Sequence, residues 1–491
     1  MTDTLIPDRE AAASEVADLR LRTDLFIDGD FRPSRDGRRF VTENPATGRS
    51  ITEVAEGGVA DVDAAVAAAR SAADRGVWSR IDPGARKRVL QRWADLIEAN
   101  ARELGLIETI DAGKPISDTV GLDMPETAAC IRWHAEAIDK LYGQVAPSPE
   151  GTFATITREP VGVVGAVVPW NYPAQMAAWK LGPALATGNS VVIKPASTTS
   201  LSLLRIAELG AEAGIPDGVL NVLPGKGSIV GTRLVEHPDV AKIGFTGSTE
   251  VGQEVMRGAA GTIKRVTLEL GGKSANVVFA DAGLERAAAA APYAVFDNAG
   301  QDCCARSRIL VERSVYDRFA ELLVEATRGV RVGDPEEDAT EMGPLVSAAH
   351  RETVASFLDG EPLFRGDAPD GKGFWYPATL VEARPEDRVA REEVFGPVAA
   401  LIPFADEAEA IRIANDSDYG LSGSIWTENG SRALRVARAI ETGVLSINSN
   451  SSVRVSTPFG GFKRSGFGRE LGMHGLAGYS EIKNVYYSTE D

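Results

Sequence analysis

The chain has 491 residues, is 44% hydrophobic and 25% charged, and carries a formal net charge of −18. That length exceeds what one core supports and calls for two or more domains, while the acidity excludes a nucleic-acid binder, which needs a basic face. Three cysteines (Cys130, Cys303, Cys304) are too few for a disulfide scaffold, and the four histidines (His134, His237, His350, His474) lie too far apart for a paired metal site.

The opening MTDTLIPDREAAASEVADLRLR has no basic region followed by an apolar run, so it is not read as a signal peptide. It reads as a polar helical tail. No apolar run reaches the roughly 18 residues of a membrane span. A cytoplasmic, metal-free protein with no membrane or nucleic-acid partner is the expectation. Next, DLFIDGDFRPS and RRFVTENPATG form a short strand pair punctuated by Gly and Pro. Asp82 and Pro83 then start a helix in which Val89, Trp93, Leu96 and Ile97 recur at helical spacing, and Gly113 and Pro115 stop it.

From about residue 161 the runs VGVVGAVVP, NSVVIKP, GVLNVLPG, VAKIGFTGS and RVTLELGG are short, β-branched and nearly unbroken, as strands buried on both faces are. Helical stretches such as TTSLSLLRIAELGAEAG separate them. The fold class is therefore α/β, with a Rossmann-like, doubly wound parallel sheet over residues 1–143 and 161–270. A second α/β domain runs over 271–470. Residues 144–160 and 478–491 read as exposed strands, a small β element expected to pair across subunits.

No G-x-G-x-x-G follows any of the five strands. GFTGSTEVG instead ends a strand at Phe245 and opens a helix over Gly247–Gly252, with free N–H groups for phosphate, although Ser248 with Glu250 equally reads as an ordinary helix cap. Lys194 ends another strand at the edge where a sheet ligand lies. In FDNAGQDCCARSR, Cys303 is either a small buried side chain or a nucleophile activated near a helix start. No histidine is near in sequence, so the base would be Glu269 in LELGGKS, whose alternative is a strand-end charge facing water.

Together VVPWNYP, GNSVVIKPA, GFTGSTEVG, LELGGKSANVVF, NAGQDCCA, EEVFGPV and PFGGFKRSGFGRELG resemble the NAD(P)-dependent aldehyde dehydrogenase superfamily, in its order, from about residue 25 onward. The resemblance implies a catalytic role for the second domain, with Cys303 as nucleophile, Asn171 as oxyanion donor and Glu269 as the base that activates water. For the cofactor it implies Lys194 at the ribose with Ser197 close by, Gly247 and Ser248 at the pyrophosphate, Glu393 and Phe395 at the nicotinamide ribose and ring, and Gly225 and the wall residue Trp170 elsewhere in the cofactor site. Ser197 stands where NAD-preferring relatives often carry Glu, so NAD is expected with NADP possible. Lys273 is implied only as a structural ion-pair partner.

For the substrate pocket the resemblance implies Trp179, Asp297, Asp302 and Arg454. The two aspartates, and IRWHAEAIDKLYGQV, resemble relatives acting on aminoaldehydes and γ-glutamyl-aminobutyraldehyde. Arg454 supports the alternative, a semialdehyde bearing a carboxylate. A CoA-acylating relative is disfavoured by Glu269, and a non-catalytic one by the presence of Cys303, Asn171 and Glu269. The assembly implied is a homodimer or homotetramer.

Overall fold

The computed structural model describes residues 16, 19–358 and 360–488. Most of the expected N-terminal helix, and residues 489–491 of the last expected strand, lie outside the described residues. The first surprise is that DLFIDGDFRPS holds two strands, not one. β1 (Leu25–Ile27) and β2 (Asp30–Arg32) form a hairpin of their own. Its turn is Asp28–Gly29 with φ of 56° and 82°, the mirror-image geometry a two-residue hairpin needs. β3 (Arg39–Asn44) and β4 (Arg49–Ala55) make a separate two-stranded ribbon.

Three long helices follow: α1 (Val59–Arg75), α2 (Pro83–Ala99) and α3 (Ala101–Ala112). Asp82 caps α2 by accepting from the Ala85 N–H (2.9 Å), and Gly113 closes α3 in the left-handed conformation. The single helix expected between them breaks at Asn100, whose Nδ2 donates to the Leu96 carbonyl (2.7 Å) and so competes with the backbone ladder. After α4 (Met124–Ala137) come β5 (Gln144–Ala146) and β6 (Thr152–Pro160).

All five expected sheet strands form: β7 (Val163–Val167), β8 (Ser190–Lys194), β9 (Leu220–Val222), β10 (Lys242–Thr246) and β11 (Arg265–Glu269). Their parallel order is β9-β8-β7-β10-β11, with α5 (Pro173–Ala186), α6 (Leu201–Ala213) and α7 (Thr249–Ala260) among the connections. One face of the sheet meets α1 through Val62, Val66, Ile243 and Leu268. The other meets α2, α4, α5 and α6 through Trp93, Ile131, Leu185 and Leu204. This is a doubly wound α/β sheet, as the strand pattern implies.

The chain then builds a second sheet from β12 (Ala275–Val278), β13 (Arg308–Glu312), β14 (Phe364–Arg365), β15 (Thr379–Glu382), β16 (Val398–Phe404), β18 (Ser422–Trp426) and β19 (Val444–Ile447). Its order is β14-β15-β16-β13-β12-β18-β19, parallel except for β14. α8 (Leu284–Phe296) links β12 towards β13. β17 (Tyr419–Gly420) pairs with β20 (Phe462–Lys463), while β21 (Gly466–Phe467) returns to the first sheet and lies antiparallel to β11.

After α9 (Gly472–Ala477), β22 (Ser480–Ser488) pairs along its whole length with β6, from Ser480 opposite Pro160 to Ser488 opposite Thr152. The two segments expected to pair across subunits thus pair with each other within one chain, because the hairpin β5–β6 presents an edge beside the chain terminus. No helix among the described residues is long and apolar enough to cross a membrane.

Candidate active site

α8 ends at Phe296, and the chain reverses through Asn298, Ala299 and Gly300, all with positive φ. Gly300 is required there: a Cβ would lie 2.3 Å from the Gly396 carbonyl oxygen. The reversal is fastened by Gln301, whose Nε2 donates to the Asn298 carbonyl (2.9 Å) and whose Oε1 accepts from the Val346 N–H (2.8 Å). Asp302 Oδ1 accepts from the Cys304 N–H (2.9 Å) and closes the turn that displays Cys303.

No helix follows; the next regular element is β13. The expected activation of Cys303 at a helix start is therefore absent. Its thiol is instead held well above the usual cysteine range by a hydrogen bond with Cys304 and by burial. Cys304 is buried in the core cluster, the packing role.

Glu269 closes β11. It does not face water: it is 3% exposed, neither carboxylate oxygen has a hydrogen-bond partner among the described residues, and burial followed by the nearby Glu470 pushes its pKa well up. The glycines after it serve close approach. A Cβ on Gly271 would lie 2.4 Å from Glu393 Oε2, and one on Gly272 would lie 2.1 Å from the Cys303 carbonyl oxygen. The Gly272 N–H donates to Glu393 Oε1 (2.7 Å), and burial raises Glu393 to about 7. Asn171 is tied to the same turn: its Nδ2 donates to the Gln301 carbonyl (2.8 Å), and its own carbonyl accepts from Asn298 Nδ2 (2.7 Å).

Cys303, Asn171 and Glu269 line one cavity of about 450 Å³. Its aromatic walls include Trp170, 5.4 Å from Phe395 at 85°, and Trp179, 4.9 Å from Phe459 at 66°. Phe395 has a φ of 54°, and its carbonyl is 2.7 Å from His350 Nε2. Gly247, Ser248 and Glu393 also line the cavity. Ser248 does cap α7, accepting from the Val251 N–H (3.3 Å).

The remaining cofactor candidates lie beyond this lining. Burial lowers the Lys194 ammonium to about 8, and it donates to the Pro195 carbonyl (2.8 Å). Ser197 Oγ donates to the Gly225 carbonyl (2.9 Å) and faces a separate cleft of about 270 Å³ with Lys226 and Glu56. Among the described residues Lys273 has no ion-pair partner and its buried Nζ no hydrogen bond, and burial pushes it down to about 7. The carboxyl edge of a parallel sheet, a helix N-terminus of small residues, the buried Lys194 and the half-buried Glu393 fit a dinucleotide.

Asp297, Asp302 and Arg454 all reach the cavity, but differently from one another. Asp297 Oδ2 accepts from Tyr172 OH (2.7 Å), and Arg454 Nη1 donates to Ser451 Oγ (2.9 Å) and the Val453 carbonyl (2.7 Å). Asp302 has one oxygen committed to the backbone of the nucleophile turn. Among the described residues, Asp302, Cys303 and Cys304 also place three potential metal-ligand atoms within 4.8 Å of one another, at the reaction centre itself. Glu126, Tyr172, Tyr293 and Phe459 line the cavity too and are not among the sequence candidates, although Tyr172 lies in PWNYP and Phe459 in PFGG.

Residues 31–485 match the model of the aldehyde dehydrogenase family. The NADP/NAD-dependent aldehyde dehydrogenase PuuC of Escherichia coli is 43% identical over 479 residues, 96% of this chain and 97% of that one. A crystal structure of γ-glutamyl-γ-aminobutyraldehyde dehydrogenase from Burkholderia cenocepacia superposes with a TM-score of 0.95 at 46% identity, over 98% of this chain and 99% of that one. The indole-3-acetaldehyde dehydrogenase AldA of P. syringae, solved with NAD+ and IAA, gives 0.96 at 44% identity, over 99% and 100%. The chain belongs to the aldehyde dehydrogenase family and is an oxidoreductase of the aldehyde group.

Proposed function

We propose that the protein oxidises an aldehyde to a carboxylic acid with NAD+, and with NADP+ as a possible second cofactor, through a covalent intermediate on Cys303. The convergence of Cys303, Asn171 and Glu269 on one cavity carries this reading. Cys303 gives its thiol proton to solvent water, and its sulfur attacks the aldehyde carbon to form a thiohemiacetal. The second N–H of Asn171 Nδ2 and the Cys303 backbone N–H donate to the developing oxyanion. The dinucleotide, held with Glu393 and Phe395 at its reacting end, would supply the hydride acceptor for this carbon. Glu269 then takes a proton from the water that attacks the resulting thioester, and the Cys303 sulfur departs.

In the cofactor site Lys194, Ser197, Gly225, Gly247, Ser248 and Trp170 hold the dinucleotide, with Glu393 and Phe395 at its reacting end. Ser197 leaves no carboxylate to repel a 2′-phosphate, and PuuC is named for both cofactors. The residues 1–143 and 161–270 serve as the cofactor-binding domain and 271–470 as the catalytic domain, in a cytoplasmic homodimer or homotetramer.

The substrate reading is an aminoaldehyde. Asp297 and Glu126 add two carboxylates to the lining of the cavity, and the B. cenocepacia neighbour is by its name a γ-glutamyl-γ-aminobutyraldehyde dehydrogenase. A carboxylate-bearing semialdehyde is the second reading, supported by exposed Arg454 in the lining of the same cavity. The test is NAD(P)H formation with a panel of 4-aminobutyraldehyde, succinate semialdehyde, betaine aldehyde and simple aliphatic aldehydes, each with both cofactors. Activity surviving in Cys303→Ala overturns the covalent mechanism, and a requirement for CoA overturns hydrolysis by Glu269.

A further inference from the structure

Arg306 lines the active-site cavity, yet it is only 5% exposed, and among the described residues no carboxylate stands within ion-pair distance of it. A guanidinium cannot shed its charge, so burying it unpaired is costly unless its N–H groups find fixed acceptors. Here they do. Nη1 donates to the Cys304 carbonyl (2.8 Å), Nη2 to Ser452 Oγ (2.7 Å) and Nε to Ser424 Oγ (3.3 Å). The backbone N–H of Arg306 donates to the Ala294 carbonyl in the last turn of α8 (2.9 Å). A lysine carries its donors on one atom and could not reach acceptors on three separate elements at once.

The three acceptors belong to three pieces of the site. Cys304 follows the nucleophile, and its N–H is already held by Asp302 Oδ1 (2.9 Å), so Asp302 and Arg306 grip one residue from its two ends. Ser424 lies on β18 and shares a hydrogen bond with Ser446 of β19 (3.1 Å). Ser452 lies in the loop after β19, which lines the cavity. That loop leaves the sheet at Asn448, whose amide is bound to both the N–H and the carbonyl of Thr427 (3.0 Å each). Asn450 Nδ2 then donates to the Ala290 carbonyl of α8 (2.9 Å). Further on, Val453 packs on the apolar core, and Arg454 donates only to Ser451 and Val453. Among the described residues, the bond from Arg306 is the one hydrogen bond that ties residues 451–454 to a part of the chain outside this loop.

We propose that Arg306 is a positioning residue that couples the loop 449–454 to the turn carrying Cys303, and so fixes the depth of the cavity above the sulfur. The inference rests on the reading of this cavity as the aldehyde site. Held at both ends, the guanidinium makes the wall and the nucleophile turn one rigid unit. An aldehyde long enough to touch the wall is then presented to Cys303 at one distance, whereas a two-carbon aldehyde stays at the sulfur. Cutting the bracket at Ser452 frees the loop and leaves the turn in place. Cutting it at Arg306 loosens the turn as well, and with it the contact with Cys304 and the burial that keep the Cys303 thiol protonated.

The readouts are KM and kcat for acetaldehyde and octanal with NAD+, the Kd of NADH from its fluorescence, and the rate at which iodoacetamide alkylates Cys303, followed by mass spectrometry. Ser452→Ala removes the loop-side hydrogen bond alone. It should raise KM for octanal on the order of 10-fold, the loss of one hydrogen bond to a charged group. KM for acetaldehyde, both kcat values and the Kd of NADH should stay within about twofold. Ser452→Thr keeps the hydroxyl and should restore KM for octanal. Arg306→Lys should lower kcat on the order of 10-fold for both aldehydes and speed alkylation by about as much. In folded Ser452→Ala, an unchanged KM for octanal, or an equal rise for both aldehydes, overturns the coupling. So does a Ser452→Thr that behaves like Ser452→Ala. If the wild type turns over neither aldehyde, alkylation decides: an unchanged rate in Arg306→Lys overturns the coupling. No oxidation of any aldehyde in the panel above overturns the aldehyde reading instead. If Arg306→Lys fails to fold, as judged by thermal melting, the two Ser452 variants decide the matter.

Discussion

Cys303 and Glu269 are each held on the protonated side by their surroundings, Cys303 by Cys304 and burial, Glu269 by burial and Glu470. Both must lose a proton to act as thiolate and as base. Because both shifts are upward, the active forms appear as pH rises. The expectation is a kcat/KM that climbs steadily between about pH 6 and pH 9; a flat profile counts against this pair as the titrating groups. Asn171 is fixed by the Gln301 carbonyl, so its remaining N–H is already aimed. Asn171→Ala should cost about 100- to 1000-fold in kcat, measured at saturating aldehyde, with far less change in melting temperature.

At the scale of elements, the glycine loop after β11 is the joint where the two sheets meet the nucleophile. Gly272→Ala would drive a methyl into the Cys303 carbonyl, and a displacement of about 1 Å at the nucleophile can cost 100-fold in rate. Single-turnover kinetics on the folded variant would show it. Where α3 gives way to α4, Lys114 forms a buried ion pair with Asp123, its ammonium 3.7 Å over the Tyr172 ring. Lys114→Met strands Asp123 in the core, and urea unfolding should register a loss of about 3–5 kcal/mol.

The parallel strands were readable because burial on both faces writes an unbroken β-branched run, and Cys303, Glu269 and Asn171 because each sits in a distinctive motif at an element's end. The break at Asn100 escaped because it depends on a side chain competing with the backbone over a single turn. Glu126 and Tyr293 escaped for another reason. They come from different helices, and only the tertiary fold turns them towards one mouth.

For the whole molecule, the three-stranded sheet β22-β6-β5 stands apart from both large sheets and leaves Ile482, Tyr486 and Tyr487 at 65%, 59% and 60% exposure. Ile482 and Tyr486 share one face of β22 and Tyr487 lies on the other; we propose that this strand, already paired on one side with β6, meets a second copy of the chain. A chain ending at Lys483 should sediment as a smaller species than the full-length protein. An unchanged sedimentation coefficient would remove β22 from the assembly.

Asp302 offers a practical lesson for redesign. A library meant to change which aldehyde is accepted would naturally randomise every acidic position near Cys303. Asp302 is a hinge pin for the turn that presents the sulfur, holding the Cys304 N–H, so variants there should be lost as dead clones irrespective of the aldehyde offered. Diversity is better placed at Asp297, Tyr293 and Arg454, where the wall can be recut without loosening the tool it surrounds.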